Sequence, residues 1–202
     1  KMGVTLVKQP IVWDAKEQDL ESGRIDCVWN GMSISPSRAE AMNLSDPYME
    51  NEMIFVVPSD SDIKSLDDIK GKTVAVQLGS TAEEILANAD FANDITTTPL
   101  EDNVTALQQL ELGFSDAVFM DSVVANYLIT SEGKDFVILP EGLEKEEYAI
   151  GFRKGDQALR DEVQNTLSEL KADGTLGEIS TKWFGSDITC LLYTSPSPRD
   201  KR

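Results

Sequence analysis

Leu20-Glu21-Ser22-Gly23-Arg24-Ile25-Asp26-Cys27-Val28-Trp29-Asn30 returns as Leu110-Glu111-Leu112-Gly113-Phe114-Ser115-Asp116-Ala117-Val118-Phe119-Met120, with Leu, Glu, Gly, Asp and Val at the same offsets. Each copy reads as the last turn of a helix, a glycine at the C-terminal cap position and a short apolar run suited to a buried parallel strand. Two similar α/β units follow from that pattern. Beyond the strands the copies diverge. The first runs into Gly31-Met32-Ser33-Ile34-Ser35-Pro36-Ser37-Arg38, and the second ends at Asp121. Ligands of parallel α/β sheets collect outside the carboxyl ends of strands. One unit thus offers a cation and hydroxyls there and the other a carboxylate, a pairing that suits a zwitterion.

Working outward, the pattern predicts a strand over 4–7 and a helix through Leu20 opened by Asp14 and Glu17 as a capping pair. Strands over 25–29 and 53–57 follow, then a short turn over 66–70. A strand over 73–77 opens the second unit, with a helix from 82 to about 89. The helix before Gly113 presents Val104, Leu107 and Leu110 as a core face. Helices over 122–130, 157–173 and 176–184 complete the chain, with Gly174 as a cap. The expected fold is α/β with two lobes. Residues 1–57 and 149–187 form lobe 1, and residues 58–148 form lobe 2, inserted in the first. The two crossing segments would serve as a hinge. Residues 188–202, with their Ser-Pro alternation and basic end, read as a non-native or disordered tail outside the fold.

A chain of 202 residues with 41% hydrophobic content can bury a core. No apolar run approaches the ~20 residues of a membrane span. The net charge of -18 argues against nucleic acid and against adhesion to anionic lipid. Without histidine, imidazole-dependent triads and His-ligated metal sites are excluded. Gly79-Ser80-Thr81-Ala82 lacks the frame of a nucleophile elbow, no Walker A sequence occurs, and Asp60-Ser61-Asp62 lacks the glycine and glutamate of a calcium loop. Neither metal nor cofactor is expected. Cys27, in a predicted strand, reads as a small hydrophobe, Cys190 lies in the tail, and no disulfide between them is expected.

Among the candidate residues Arg38 carries most weight. A guanidinium pairs both oxygens of a carboxylate with a rigid fork, although Arg38 also reads as a surface residue near Glu40. Ser33 can donate a hydroxyl, and Asn30 and Gly31 can offer backbone groups nearby, or the three form an ordinary polar loop. Gly79-Ser80-Thr81 joins a strand to a helix, where N–H groups favour a carboxylate and where the same residues suit a helix cap. Asp121 can accept from an ammonium or cap the helix beginning near Ser122. Trp13, next to a helix start, lines a site or packs in the core, and Trp29 reads as packed beneath the site.

The run Gly-Arg-Ile-Asp, then Gly31-Met32-Ser33-Ile34, Arg38 and Leu44-Ser45-Asp46-Pro47-Tyr48 resembles the family 3 solute-binding proteins, the polar amino acid receptors of bacterial ABC importers. The resemblance continues through Gly71-Lys72-Thr73-Val74-Ala75-Val76-Gln77-Leu78-Gly79-Ser80-Thr81, Phe119-Met120-Asp121 and Lys182-Trp183-Phe184-Gly185, and covers roughly residues 1–187. It implies a type II periplasmic-binding-protein fold that closes two lobes on an L-amino acid, without catalysis. In such a protein Arg38 would hold the ligand carboxylate, the Gly79–Thr81 loop would grip it from the second lobe, Asp121 would take the ammonium, and Trp13 would line the side chain. It further implies a monomer, an extracytoplasmic location, an ABC permease as protein partner, and a leader, strand and helix preceding Lys1. An amino-acid-sensing ectodomain is the nearer alternative, and a dehydratase using Glu50 or Glu52 the more distant one.

Overall fold

The computed structural model describes residues 1–190, the side chains of residues 131 and 132 excepted. After a 3-10 turn at Trp13–Ala15 the chain forms α1 (Lys16–Glu21), β1 (Cys27–Val28), α2 (Pro36–Ala41), β2 (Asn43–Leu44) and β3 (Met49–Pro58). Beyond a 3-10 turn at Leu66–Ile69 come β4 (Thr73–Gln77), α3 (Thr81–Asn88), β5 (Thr96–Leu100), α4 (Asn103–Glu111), β6 (Ala117–Asp121) and α5 (Ser122–Glu132). The rest comprises β7 (Phe136–Ile138), β8 (Glu144–Tyr148), β9 (Gly151–Phe152), α6 (Gln157–Ala172) and α7 (Thr175–Phe184).

Both copies of the repeat fold alike at their centre. α1 and α4 each end on the repeated glutamate, Gly23 and Gly113 follow with φ of 77° and 73°, and β1 and β6 then begin at equivalent positions. A positive φ is cheap only for glycine, which is why this residue recurs there.

The chain divides into two compact units. One comprises Lys1–Gln9, Leu20–Glu50 and the segment from Glu147 onward, and the other Pro10–Asp19 and Asn51–Glu146. These divisions differ from the expected 57/58 and 148/149. They also carry Trp13 into the second unit, because Asp14 and Lys16 pack against Gly79.

The second unit is built on a sheet of order β5-β4-β6-β3-β7, with β8 also paired to β3. β4 runs parallel to β5 and β6, while β3 runs antiparallel to β6 and β7. Both faces of the sheet are buried at its centre, so Met53–Val57 of β3, and β4 and β6, read as largely continuous apolar runs rather than alternating ones. Met53, Phe55, Val57, Val74, Val76 and Phe119 pack on one face with Leu86 of α3. Ile54, Val56, Ala75, Val118 and Met120 face the other way, against Ala106, Leu107 and Leu110 of α4. Val104 is exposed, so the core face of α4 is turned from the expected one by the substitution of Ala106 for Val104.

In the first unit β9 pairs antiparallel with both β1 and β2, and α6 covers it with Val163 and Leu167. β1 is shorter than the expected 25–29 and antiparallel rather than parallel. Residues 4–7 do not form the expected strand: Val4, Leu6 and Val7 are exposed, and no ladder pairs with them among the described residues. The helix start also differs. Val12, not Asp14, is the residue preceding the 3-10 turn, and no side chain caps it. Ile188, Thr189 and Cys190, expected outside the fold, pair with the chain at Tyr48–Glu50 through Glu50 N–H to Ile188 O (3.2 Å) and Cys190 N–H to Tyr48 O (3.2 Å). The rest of that tail lies outside the described residues.

Candidate ligand-binding site

In the first unit the sequence places Ser35 before Pro36, a side-chain cap followed by a residue pre-set for a first helical position. That start makes α2, a helix absent from the expected elements. Ser35 Oγ accepts from the Arg38 N–H at 3.3 Å, and Arg38 is buried on the resulting helix. Its Nη1 donates to Ser33 O at 2.7 Å, which fixes the plane of the guanidinium. Ser33 is itself buried and bridges to Tyr148, with Ile34 N–H donating to Glu147 O (2.9 Å) and Ala149 N–H to Met32 O (2.9 Å). Gly31, Ser33 and Arg38 are thus brought together, while Asn30 is exposed on the preceding bend.

Gly31 adopts φ of 48°, and a Cβ there would meet the Tyr148 ring at 3.4 Å. Burial pushes the Tyr48 phenol up to about 12, against the lowering influence of the Trp29 side chain and the Gly31 backbone. Trp29 stands edge-on to Tyr48 at 6.3 Å and is half exposed, not packed away in the core.

In the second unit Gly79 is a point of close approach between chain segments. With φ of 67°, it lies so near Asp14 that a Cβ would fall 2.6 Å from Oδ1 and 3.1 Å from the Asp14 Cα. Only glycine fits there. Gly79 O accepts from Lys16 Nζ at 3.1 Å, and Gly79 N–H donates to Glu83 Oε2 at 2.8 Å. Ser80 caps α3 by accepting from Glu83 N–H (3.3 Å) while donating its hydroxyl to Gln77 O (2.7 Å). The loop's own bonds therefore engage the Gly79 N–H and the Ser80 hydroxyl, and buried Thr81 opens the helix behind them. Trp13 is buried, with the Lys16 ammonium 5.2 Å from its ring centroid. Trp13 and Gly79 are thus joined through one lysine.

Asp121 ends β6 and is buried. It occupies the residue before α5, yet its side chain makes no capping bond. Oδ1 instead accepts from Asn51 Nδ2 at 2.8 Å. The same amide nitrogen lies 3.3 Å from Glu146 Oε2, and Asn51 Oδ1 accepts from Ser122 Oγ at 3.4 Å. Among the described residues no group of three or more His, Cys, Asp or Glu side chains could hold a metal ion. Both Cys27 and Cys190 are free thiols.

The model of the bacterial extracellular solute-binding proteins, family 3, matches residues 1–186. The chain belongs to that family. This solute-binding protein is 34% identical over 190 residues to the L-cystine-binding protein TcyJ of Escherichia coli strain K12, covering 93% of this chain and 71% of the relative. It is 35% identical over 191 residues to the L-cystine-binding protein TcyA of Bacillus subtilis strain 168, covering 94% and 69%. A crystal structure of an ABC uptake transporter substrate-binding protein from Streptococcus pneumoniae with bound histidine superposes with a TM-score of 0.84. It is 36% identical and covers 94% of this chain and 80% of that one. The fold is the two-lobed type II periplasmic-binding fold.

Three polar residues of the solute-binding protein escaped sequence reading. Asn51 shares the side of β3 that carries Met53, Phe55 and Val57 into the core, and a polar residue in that alternation was the available signal. Lys16 follows a buried tryptophan by three residues, a spacing that places both on one helical face. Glu146 sits within the acidic run Glu144-Lys145-Glu146-Glu147 and has no local signature.

Proposed function

We propose that this protein captures an L-amino acid outside the cytoplasm and delivers it to an ABC importer, acting as a monomer and without making or breaking bonds in its ligand. The observation that carries the reading is the contrast between the two buried charges. Arg38 is a guanidinium oriented by Ser33 O, and Asp121 is a carboxylate withheld from the helix it could cap. They are the two groups that recognise the carboxylate and ammonium common to all amino acids, and each belongs to a different unit. Ser33 and the Gly31 backbone would support the carboxylate on the Arg38 side. Thr81 would add its hydroxyl from the other unit, with Gly79 and Ser80 as the frame of that loop, and Trp13 would face the side chain. That relatives of this length and identity are named as binding proteins for cystine supports a carrier over an enzyme.

Calorimetry with the twenty L-amino acids and L-cystine, each beside an N-acetyl and an amide form, tests the proposal. At least one free amino acid is expected to bind and its blocked forms to fail. Arg38→Ala leaves a desolvated carboxylate without its partner, a loss of ~2 to 5 kcal/mol, so affinity should fall roughly 30-fold or more. Silence across the free amino acids, or equal binding of the blocked ones, overturns the proposal.

A further inference from the structure

We propose that Asn51 is the positioning residue of the ammonium site, holding the Asp121 carboxylate off the end of α5 so that it is presented to the ligand. The inference rests on the reading of Asp121 as the ammonium acceptor. Aspartate is among the preferred residues at the position before a helix, because its oxygen satisfies an N–H that the helix leaves open. Asp121 stands at that position and makes no such bond. The 2.8 Å bond from Asn51 Nδ2 engages its Oδ1 instead.

Three neighbours fix the orientation of the Asn51 amide. Its nitrogen serves Asp121 and Glu146, and its carbonyl accepts from Ser122 Oγ. Turning the amide over would aim the carbonyl oxygen at two carboxylates and the nitrogen at a hydroxyl, so one orientation is strongly preferred. The backbone reinforces it, since Met53, two residues along β3, pairs with Asp121 in the ladder. Asparagine also has an electrostatic consequence that lysine or arginine would not. It supplies a donor to both carboxylates without itself adding a positive charge. Asn51 and Asp121 are both buried, where such a bond is least weakened by water.

A double-mutant cycle reads the coupling. Affinity for L-cystine, L-histidine and L-arginine is measured in the wild type, Asn51→Leu, Asp121→Asn and the double variant, with the ligand-free melting temperature of each. Asn51→Leu should weaken binding about tenfold in the presence of Asp121 and less than roughly twofold in the Asp121→Asn background. Where Asn51→Leu does not fold, Asn51→Ser is carried through the same cycle and judged by the same two ratios. Equal losses in both backgrounds, or no loss in either, overturn the role of Asn51. If Asp121→Asn alone binds as the wild type does, or no free amino acid binds, the reading of Asp121 falls and the inference with it.

Discussion

A phenol that keeps its proton up to about 12 links the stability of the first unit to pH. In the unfolded chain a tyrosine ionises near pH 10. Between those values the unfolded state holds fewer protons than the folded one. The contribution of Tyr48 is therefore full below about pH 10 and is lost as pH rises through about 12. By pH 11 the loss amounts to about 1.4 kcal/mol. Urea melts at pH 8 and pH 11 should show this fall in the wild type and a smaller one in Tyr48→Phe. Identical falls in the two proteins would show that the Tyr48 phenol keeps no special hold on its proton. The residues around it matter because Trp29, which stands edge-on to Tyr48, and Gly31, which lowers the phenol's pKa, lead into the Ser33–Arg38 turn.

At the scale of elements, residues 188–190 give the clearest test. The bonds Glu50 N–H to Ile188 O and Cys190 N–H to Tyr48 O join this segment to the start of β3, and Lys171 Nζ donates to Thr189 Oγ1 at 2.6 Å. Net hydrogen bonds contribute about 1 kcal/mol each, so ending the chain at Asp187 should lower the melting temperature by several degrees. A melting temperature unchanged from the full chain would mean that the pairing contributes no stability. Composition concealed this segment: Ser-Pro alternation marks the stretch after it, while the pairing uses backbone groups that any sequence supplies. Other elements were legible for the converse reason. β4 was bounded correctly from Thr73 to Gln77 because its apolar run is closed by a glycine on each side, Gly71-Lys72 before and Gly79 after. The repeated glycines were legible because their positive φ allows little else. Residues 4–7 misled because a β-branched run specifies a strand only when a partner ladder pairs with it. Val104 misled because three-residue spacing fits two neighbouring helical faces, and the small Ala106 marks the one packed on the sheet. Of the residues in the proposed site, Arg38 and Asp121 could be named from their charge and motif, whereas Asn51 and Lys16 bond to neighbours distant in the chain, Asp121 and Gly79.

Across the whole molecule, the proposed function would have one amino acid engage groups from both units, which the chain crosses between more than once. A ligand that needs both sets of contacts binds the arrangement offering them together and shifts the population toward it. Reporters belong on exposed positions, one in each unit, and Asp67 and Asn165 meet that requirement while Gln164 is buried. Burial raises both native thiols, Cys190 to about 11, so at neutral pH Asp67→Cys and Asn165→Cys should label ahead of them. Energy transfer between dyes at those two positions, followed during titration with the amino acid found to bind, reports whether ligand draws the two units together. Transfer should rise to a plateau with the calorimetric affinity in the wild type, and the rise should need far more ligand in Asp121→Asn. A wild-type signal that stays constant from zero to saturating ligand would rule out ligand-driven closure of the two units.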